Sequence, residues 1–193
     1  MSKVKTTRTL SLVIIILTLG IVTFIGIRFG WIYTIIIGVI FLVPGRFQNY
    51  YYRDFYSARK LLISKNFEES IELFNKFLEY VQSNPKIKIL DYLSLGIYTR
   101  DIEAMTYNNI GVGLLHLSNC YESEEHYKKA IAIDPAYPLP HYNLAIVWII
   151  KNDNVTAKKH FKVSEQLGFK GSSFDKFVIK AKDLYSDLIV KSE

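Results

Sequence analysis

The chain has one cysteine, Cys120, among its 193 residues, so no disulfide can form within a single copy. This usage is typical of a reducing compartment. The sequence also contains no nucleophile elbow, phosphate loop, kinase signature or dinucleotide-binding motif. Its one Gly-x-Gly, Gly111-Val112-Gly113, falls inside a predicted helix and is not a phosphate loop. We therefore expect no enzymatic activity and no cofactor.

Histidine is scarce, and its distribution gives little reason to expect a metal site. The only cluster with a metal-like composition is His116, Cys120 and His126. Its spacing matches none of the zinc patterns, and there is no second cysteine. Because the two histidines are predicted to lie on different helices with Cys120 near the turn, we interpret Cys120 as a packing residue. We expect no bound metal.

Acidic residues are almost absent from the first 60 residues. This part holds eight basic residues against Asp54 alone, a net charge of +7, while the rest of the chain carries −1. The isoelectric point of about 9.2 therefore reflects charges that flank an apolar segment. Since a nucleic-acid binder carries its basic residues on the folded domain, we expect no nucleic-acid partner.

Charge is missing altogether from Leu10 to Ile27, a run of 18 residues that reaches the usual length of a transmembrane helix. A second apolar run, Ile32 to Val43, follows and is closed by Pro44. The favoured interpretation is a membrane anchor in residues 1–45 with two helices, 10–27 and 30–43. Basic residues flank both outer ends, so both termini are expected in the cytoplasm of a bacterial cell, with a multi-pass anchor in its cell membrane.

Two alternatives for this segment stay open. Even counted from Phe29 to Val43, the second helix is only about 22 Å long against a hydrocarbon core of about 30 Å, so it is also compatible with an interfacial helix beside a single span. The tripartite shape of a cleaved signal peptide is present too, although Ile25-Gly26-Ile27 is a poor cleavage site and the apolar run continues past it.

The remainder of the chain contains a repeat with a period of 34 residues. Each unit reads as two antiparallel helices that cross at small residues, with an aromatic ring filling the space beyond the crossing. The matched pairs are Tyr107 and His141, Ile110 and Leu144, Gly111 and Ala145, Leu114 and Trp148, Ser123 and Ala157, Tyr127 and Phe161, and Ala130 and Ser164.

The pattern from Tyr107 to Pro135 resembles the tetratricopeptide repeat, and an earlier unit beginning near residue 50 is degenerate. Together with the apolar segment, the resemblance predicts an all-α fold: the transmembrane helical hairpin is followed by a short tetratricopeptide-like α-solenoid in residues 46–193, with a C-terminal capping helix. The expected boundaries are a degenerate repeat at 50–82, an insertion at 83–101 that forms a longer or extra helix, repeats at 104–137 and 138–171, and the capping helix at 173–190.

The resemblance also implies a binding groove, because the first helices of such repeats line a concave surface that holds a peptide or a partner helix. The groove residues would be Asn108, Val112, Leu115, His116, Tyr142, Ile146 and Ile149. An alternative interpretation places the last three under the C-terminal helix or the insertion, as ordinary core.

The function expected from these features is protein binding at the cytoplasmic membrane face. The chain would recruit or organise a protein or peptide partner, such as another membrane protein, while the anchor contacts membrane lipid; a homo-oligomer is also compatible. One alternative is a structural subunit of a membrane complex with its groove permanently filled. An uncharacterised enzyme is the least favoured alternative.

Overall fold

The computed structural model describes residues 3–93 and 98–190. This described part contains helices and no strand, which confirms the predicted all-α class. Residues 94–97 of the predicted insertion lie outside the described residues. Local sequence accounts for the class, because the apolar side chains recur at helical spacing along most of the chain.

The chain begins with two long apolar helices, α1 (Lys3–Phe29) and α2 (Trp31–Tyr51). They are separated at Gly30, whose φ of 99° is a conformation that only glycine adopts readily. Among the described helices, only α1 is both long and apolar enough to cross a membrane, with a mean hydropathy of 2.5 over Leu12–Phe29. The two helices pass close to each other where a Cβ on Gly26 would lie 2.6 Å from the Thr34 hydroxyl oxygen.

The second helix does not end near Val43, where the sequence predicted its end, but continues to Tyr51. A proline within a helix costs stability, yet the turn beyond Pro44 is held by tertiary packing. Tyr51 packs on the first buried cluster of the domain, and Tyr52, at the C-cap of α2, is fully buried.

Six further helices form three pairs, each joined by a short turn. The first pair is α3 (Arg53–Ile63) with α4 (Phe67–Ser83), the second is α5 (Ile102–His116) with α6 (Cys120–Ile133), and the third is α7 (Pro138–Ile150) with α8 (Asn154–Gln166). The two helices of each pair pack against each other, and consecutive pairs are in contact through α4 with α5 and α6 with α7.

The turns that join the two helices of each pair have the same backbone conformation. A residue in the left-handed region follows each first helix: Lys65 at φ 64°, Ser118 at 67° and Asn152 at 59°. In each turn the next backbone N–H donates to the carbonyl five residues earlier, at 2.9 to 3.0 Å. The degenerate first pair therefore has the same turn as the other two, although its sequence matches them least.

The pairs also cross in the same way. In the second pair the Ser123 hydroxyl donates to the Gly111 carbonyl at 2.9 Å, and the fully buried Tyr127 lies beside the crossing. A Cβ on Gly111 would stand 2.6 Å from the Tyr127 ring, which explains the glycine. The corresponding residues are Ala58, Ser70 and Phe74 in the first pair, and Ala145, Ala157 and Phe161 in the third.

The insertion between the first two pairs contains a 3-10 helix, Pro85–Leu93, in place of the predicted longer or extra α-helix. Tertiary hydrogen bonds hold it. The Tyr52 hydroxyl donates to the Asp91 carboxylate at 2.8 Å, and the same carboxylate accepts from the backbone N–H of Ile102 at 3.3 Å. Burial raises the pKa of Asp91 to about 6.

The C-terminal part consists of α9 (Phe174–Leu184) and the short α10 (Ser186–Val190), where the sequence predicted one capping helix. The interruption falls at Tyr185, whose φ of −121° lies outside the helical region. Helix α9 packs on α7, the first helix of the third pair. The C-terminal helices therefore lie against the surface that the sequence assigned to the groove.

Candidate partner-binding groove

Asn108 on α5 is the most buried polar residue of the predicted groove. Its side-chain oxygen accepts a hydrogen bond from the Asn143 amide at 2.9 Å, and only 3% of its surface is exposed. The bond joins the first helix of the second pair to the first helix of the third. Asn108 thus holds the two pairs in register, and its oxygen is already engaged within the chain.

The next turns of α5 present an apolar surface that is already covered. Leu115 is 1% exposed and Val112 is half-buried. Both belong to a cluster that includes Tyr185 from the C-terminal part, with Leu188 packed against it. Residues distant in sequence therefore occupy this part of the groove.

His116, the last residue of α5, remains exposed at the edge of the groove. Its ring stacks on Phe67 of α4 with a centroid distance of 4.6 Å and an interplanar angle of 5°. The Tyr185 ring lies 5.6 Å away. Partial burial and the nearby Lys65 ammonium lower the pKa of His116, so its imidazole is neutral at physiological pH and acts as an aromatic surface.

The three predicted residues on α7 lie beneath α9. The Tyr142 ring meets the Phe177 ring at 5.0 Å in an edge-to-face arrangement, and Ile149 is 1% exposed in a cluster with Phe177 and Ala181. Ile146 is half-buried between this cluster and the one around Tyr185. Tyr142 and Ile149 therefore contact the C-terminal helix, as the second interpretation predicted, whereas Ile146 keeps part of its surface exposed.

Polar side chains also cluster outside the groove. His141 and His160 face each other with their Nδ1 atoms 3.3 Å apart, and Glu124 forms ion pairs with Lys128 and Lys151. Within the part of the chain that the structure describes, no group of three or more histidine, cysteine or acidic side chains is placed to hold a metal ion. Burial raises the pKa of the Cys120 thiol, the opposite of what activates a nucleophile.

Sequence reasoning missed two features of the groove. It gave no role to Phe67, which stacks on His116, because nothing in the local pattern links the start of α4 to the end of α5. It placed Tyr185 on a capping helix without assigning it a contact. The apolar residues at four-residue spacing, Phe177, Ala181 and Tyr185, were the available signal for that contact.

No family model matches the chain, and no curated protein or solved structure shows significant similarity to it.

Proposed function

We propose that the protein is a membrane-anchored interaction module whose soluble part is a tetratricopeptide-like α-solenoid. The observation that carries the proposal is the equivalence of the three helix pairs. Their turns share a left-handed residue at the same position, and two of the crossings carry the same buried serine-to-carbonyl bond at 2.9 Å. Stacked units of this kind build an extended surface for proteins or peptides.

The anchor in this proposal is a hairpin of α1 and α2. Helix α2 has 21 residues, but its apolar part ends at Val43 and gives only about 20 Å of helix, so a full crossing needs local thinning of the bilayer; exposed apolar side chains along this part support its contact with lipid. The basic residues before α1 and after the apolar part of α2 favour cytoplasmic termini. A bacterial cell membrane is the proposed location, and tethering there raises the effective concentration of a membrane partner.

The proposed activity is binding and not catalysis. The exposed parts of the groove are His116 and the half-buried side chains Val112 and Ile146. These side chains fit an apolar helix or extended segment of another protein, and they offer no charge that would recognise a nucleotide or a metal. We propose a protein partner and no cofactor.

The test is affinity purification of the tagged full-length protein from its native membranes in mild detergent. We expect a near-stoichiometric protein partner with the wild type. The Val112→Asp/His116→Asp variant should lose the partner, because a charge in an apolar interface is poorly solvated. A matched control, Tyr121→Asp, changes an exposed residue of α6 and should keep the partner. Recovery of the protein alone, as a monodisperse oligomer, would replace the recruiter with a self-association module.

A second candidate, a structural subunit with a permanently filled groove, is favoured by the burial of Leu115 and Ile149 beneath the C-terminal part. It predicts a different result in the same purification. A structural subunit would be insoluble or heterogeneous without its complex, whereas an interaction module remains folded after the partner is washed away.

A further inference from the structure

The C-terminal segment, residues 174–188, lies in the predicted groove as a bound helix would. Its apolar contacts come from one face, spaced by four, four and three residues: Phe177, Ala181, Tyr185 and Leu188. Lys176, Lys180 and Asp183 on other faces are exposed. This is the pattern by which an amphipathic helix docks in an apolar groove.

The segment has two parts that contact different helix pairs. Phe177 and Ala181 on α9 cover the third pair, where they bury Ile149. Tyr185 instead belongs to the cluster in which Leu115 of the second pair meets residues of α7, and its ring lies 5.6 Å from the His116 ring on the second pair. The first part closes the end of the array, as a repeat protein requires, whereas the second part lies over residues of an internal pair.

Beyond the contacts of Tyr185 and Leu188, the second part of the segment packs on few other residues. Helix α10 is five residues long, and its main packing is against α9. Short terminal elements with few contacts open at low free energy. The tail can therefore leave the groove while α9 stays in place.

The charges near this part of the groove favour an acidic occupant. Lys65 lies close enough to His116 for its charge to lower the pKa of that imidazole, whereas Lys151, near Cys120, already forms an ion pair with Glu124. The segment itself carries Asp183 and Asp187 on either side of Tyr185. Opposite charges beside an apolar contact set the orientation of a docked helix.

We propose that Tyr185 and Leu188 form a latch over the partner site of the second helix pair, and that the partner is an amphipathic helix that replaces them. Such a helix carries an aromatic and an aliphatic side chain three residues apart, flanked by acidic residues. The latch rests on the proposed interaction function and names the chemistry of its partner. Binding then requires the tail to leave, which lowers the apparent affinity of the closed protein.

Cys120 reports on the latch directly. It is the only cysteine in the chain, it is half-buried, and it packs in the same cluster as Tyr185. Alkylation requires the thiolate, so a covered thiol with a raised pKa reacts slowly. Removal of the Tyr185 side chain exposes the thiol and speeds the reaction.

The first measurement is the rate of Cys120 alkylation by iodoacetamide in the full-length protein in detergent. We expect Tyr185→Ala/Leu188→Ala to react roughly tenfold faster than wild type, because the closed state no longer has its main contacts. The matched control, Ile179→Ala/Leu184→Ala, removes two exposed apolar side chains from the same segment and should react at the wild-type rate. Tyr185→Phe keeps the ring and should also remain slow.

The second measurement is binding of a fluorescent synthetic peptide of residues 183–190, which contains the two latch residues but not the part of α9 that stays in place. We expect it to bind the Tyr185→Ala/Leu188→Ala protein about tenfold more tightly than wild type, since no latch competes. A peptide with the same two alanines should not bind.

Four results would overturn the proposal. An unchanged alkylation rate, or a double variant that loses its helical circular dichroism, means that the tail is not a latch. Faster alkylation without peptide binding means that the uncovered surface is not a docking site. A wild-type dimer whose alkylation rate depends on protein concentration assigns the site to a second copy in place of a partner helix. Failure to recover a partner from membranes would instead contradict the proposed function, and it leaves these rates unaffected.

Discussion

The second and third helix pairs have the same architecture, but their interiors differ in polarity. The second pair crosses at Gly111, with a buried serine bond and a tyrosine ring. The third pair crosses at Ala145 and Ala157, with a phenylalanine ring and no such bond. One turn geometry therefore accommodates two ways of filling the crossing. The difference shows that helix placement depends on the size of these side chains more than on their hydrogen bonds.

The two pairs also differ in a pair of aromatic side chains that contact each other at matched positions. The second pair carries Tyr107 beside His126, with ring centroids 5.9 Å apart. The third pair carries His141 beside His160 at the corresponding positions, 5.5 Å apart. The third pair thus places two imidazole rings where the second has one. We expect the stability of the two pairs to respond differently to an added methyl group at the crossing, to low pH and to the removal of a side-chain hydroxyl.

The largest expected effect comes from giving the second pair the alanine of the third. Gly111→Ala places a Cβ 2.6 Å from the Tyr127 ring, and that ring is fully buried and cannot move aside. We expect the free energy of unfolding to fall by about 1–3 kcal/mol, the usual cost of overpacking. Chemical denaturation of the full-length protein measures it. The control, Gly171→Ala, meets no atom closer than 3.7 Å and should be neutral; equal effects would contradict the crossing described here.

Acid should weaken the third pair more than the second. Burial, with the charge of His160, lowers the pKa of His141 from 6.5 to about 4. A lowered histidine pKa means that the unfolded chain binds the proton more readily, so stability present above pH 6.5 is lost as the pH falls towards 4. We expect a loss of roughly 1–2 kcal/mol after allowance for solvent screening.

The matched variant for this effect is His141→Tyr, which copies Tyr107 of the second pair. Its unfolding free energy should decline less than that of the wild type over the same pH range. The comparison cancels the opposite contribution of Asp91, whose raised pKa makes the fold more stable as the pH falls from about 6. Parallel curves for the two proteins would show that His141 does not carry the acid sensitivity.

A smaller effect is expected from removing the polar bond at the second crossing. Ser123→Ala deletes the hydroxyl that donates to the Gly111 carbonyl at 2.9 Å and reproduces Ala157 of the third pair. We expect a loss of about 0.5–1.5 kcal/mol, the typical net value of such a bond. Thermal unfolding gives the value, and Ser70→Ala in the first pair should behave alike because its bond has the same length.

The smallest effect should be a gain. The Tyr127 hydroxyl is fully buried and has no hydrogen-bond partner among the residues that the structure describes, because the neighbouring Ser123 hydroxyl donates to the Gly111 carbonyl; the third pair has Phe161 in its place. Tyr127→Phe should raise the free energy of unfolding by up to about 1 kcal/mol, because it removes an unsatisfied polar group without changing the packing. Denaturation measures the difference. The reverse change, Phe161→Tyr, is expected to destabilise the third pair, and a loss on Tyr127→Phe would indicate a bond that this crossing does not show.

The sequence predicted the elements more readily than their mutual contacts. The matched residues of the second and third pairs were identified from the 34-residue period, since small residues and aromatics recur at helical spacing. The common turn of the first pair was less evident, because Lys65, Ser118 and Asn152 share a conformation and not a residue type. Left-handed turns of this kind are therefore detected only from the backbone.

The insertion is a second case in which the local sequence did not predict the contacts that determine the structure. Its apolar residues correctly indicated a packed segment, but its 3-10 form depends on Asp91 receiving hydrogen bonds from Tyr52 and Ile102. These partners are 39 and 11 residues away in the chain. No local pattern encodes such a bond, because its geometry arises only after the first and second pairs have packed.

By itself, the sequence determined the helical class, the position of the apolar N-terminal helix and the residues at which the second and third pairs cross. Each of these follows from local spacing and side-chain size. Only the tertiary structure decided that Leu115 and Ile149 are covered by the C-terminal segment while His116 remains exposed. The physical reason is that the period of a helix specifies which face is apolar, whereas the element that buries that face is selected by packing between distant parts of the chain.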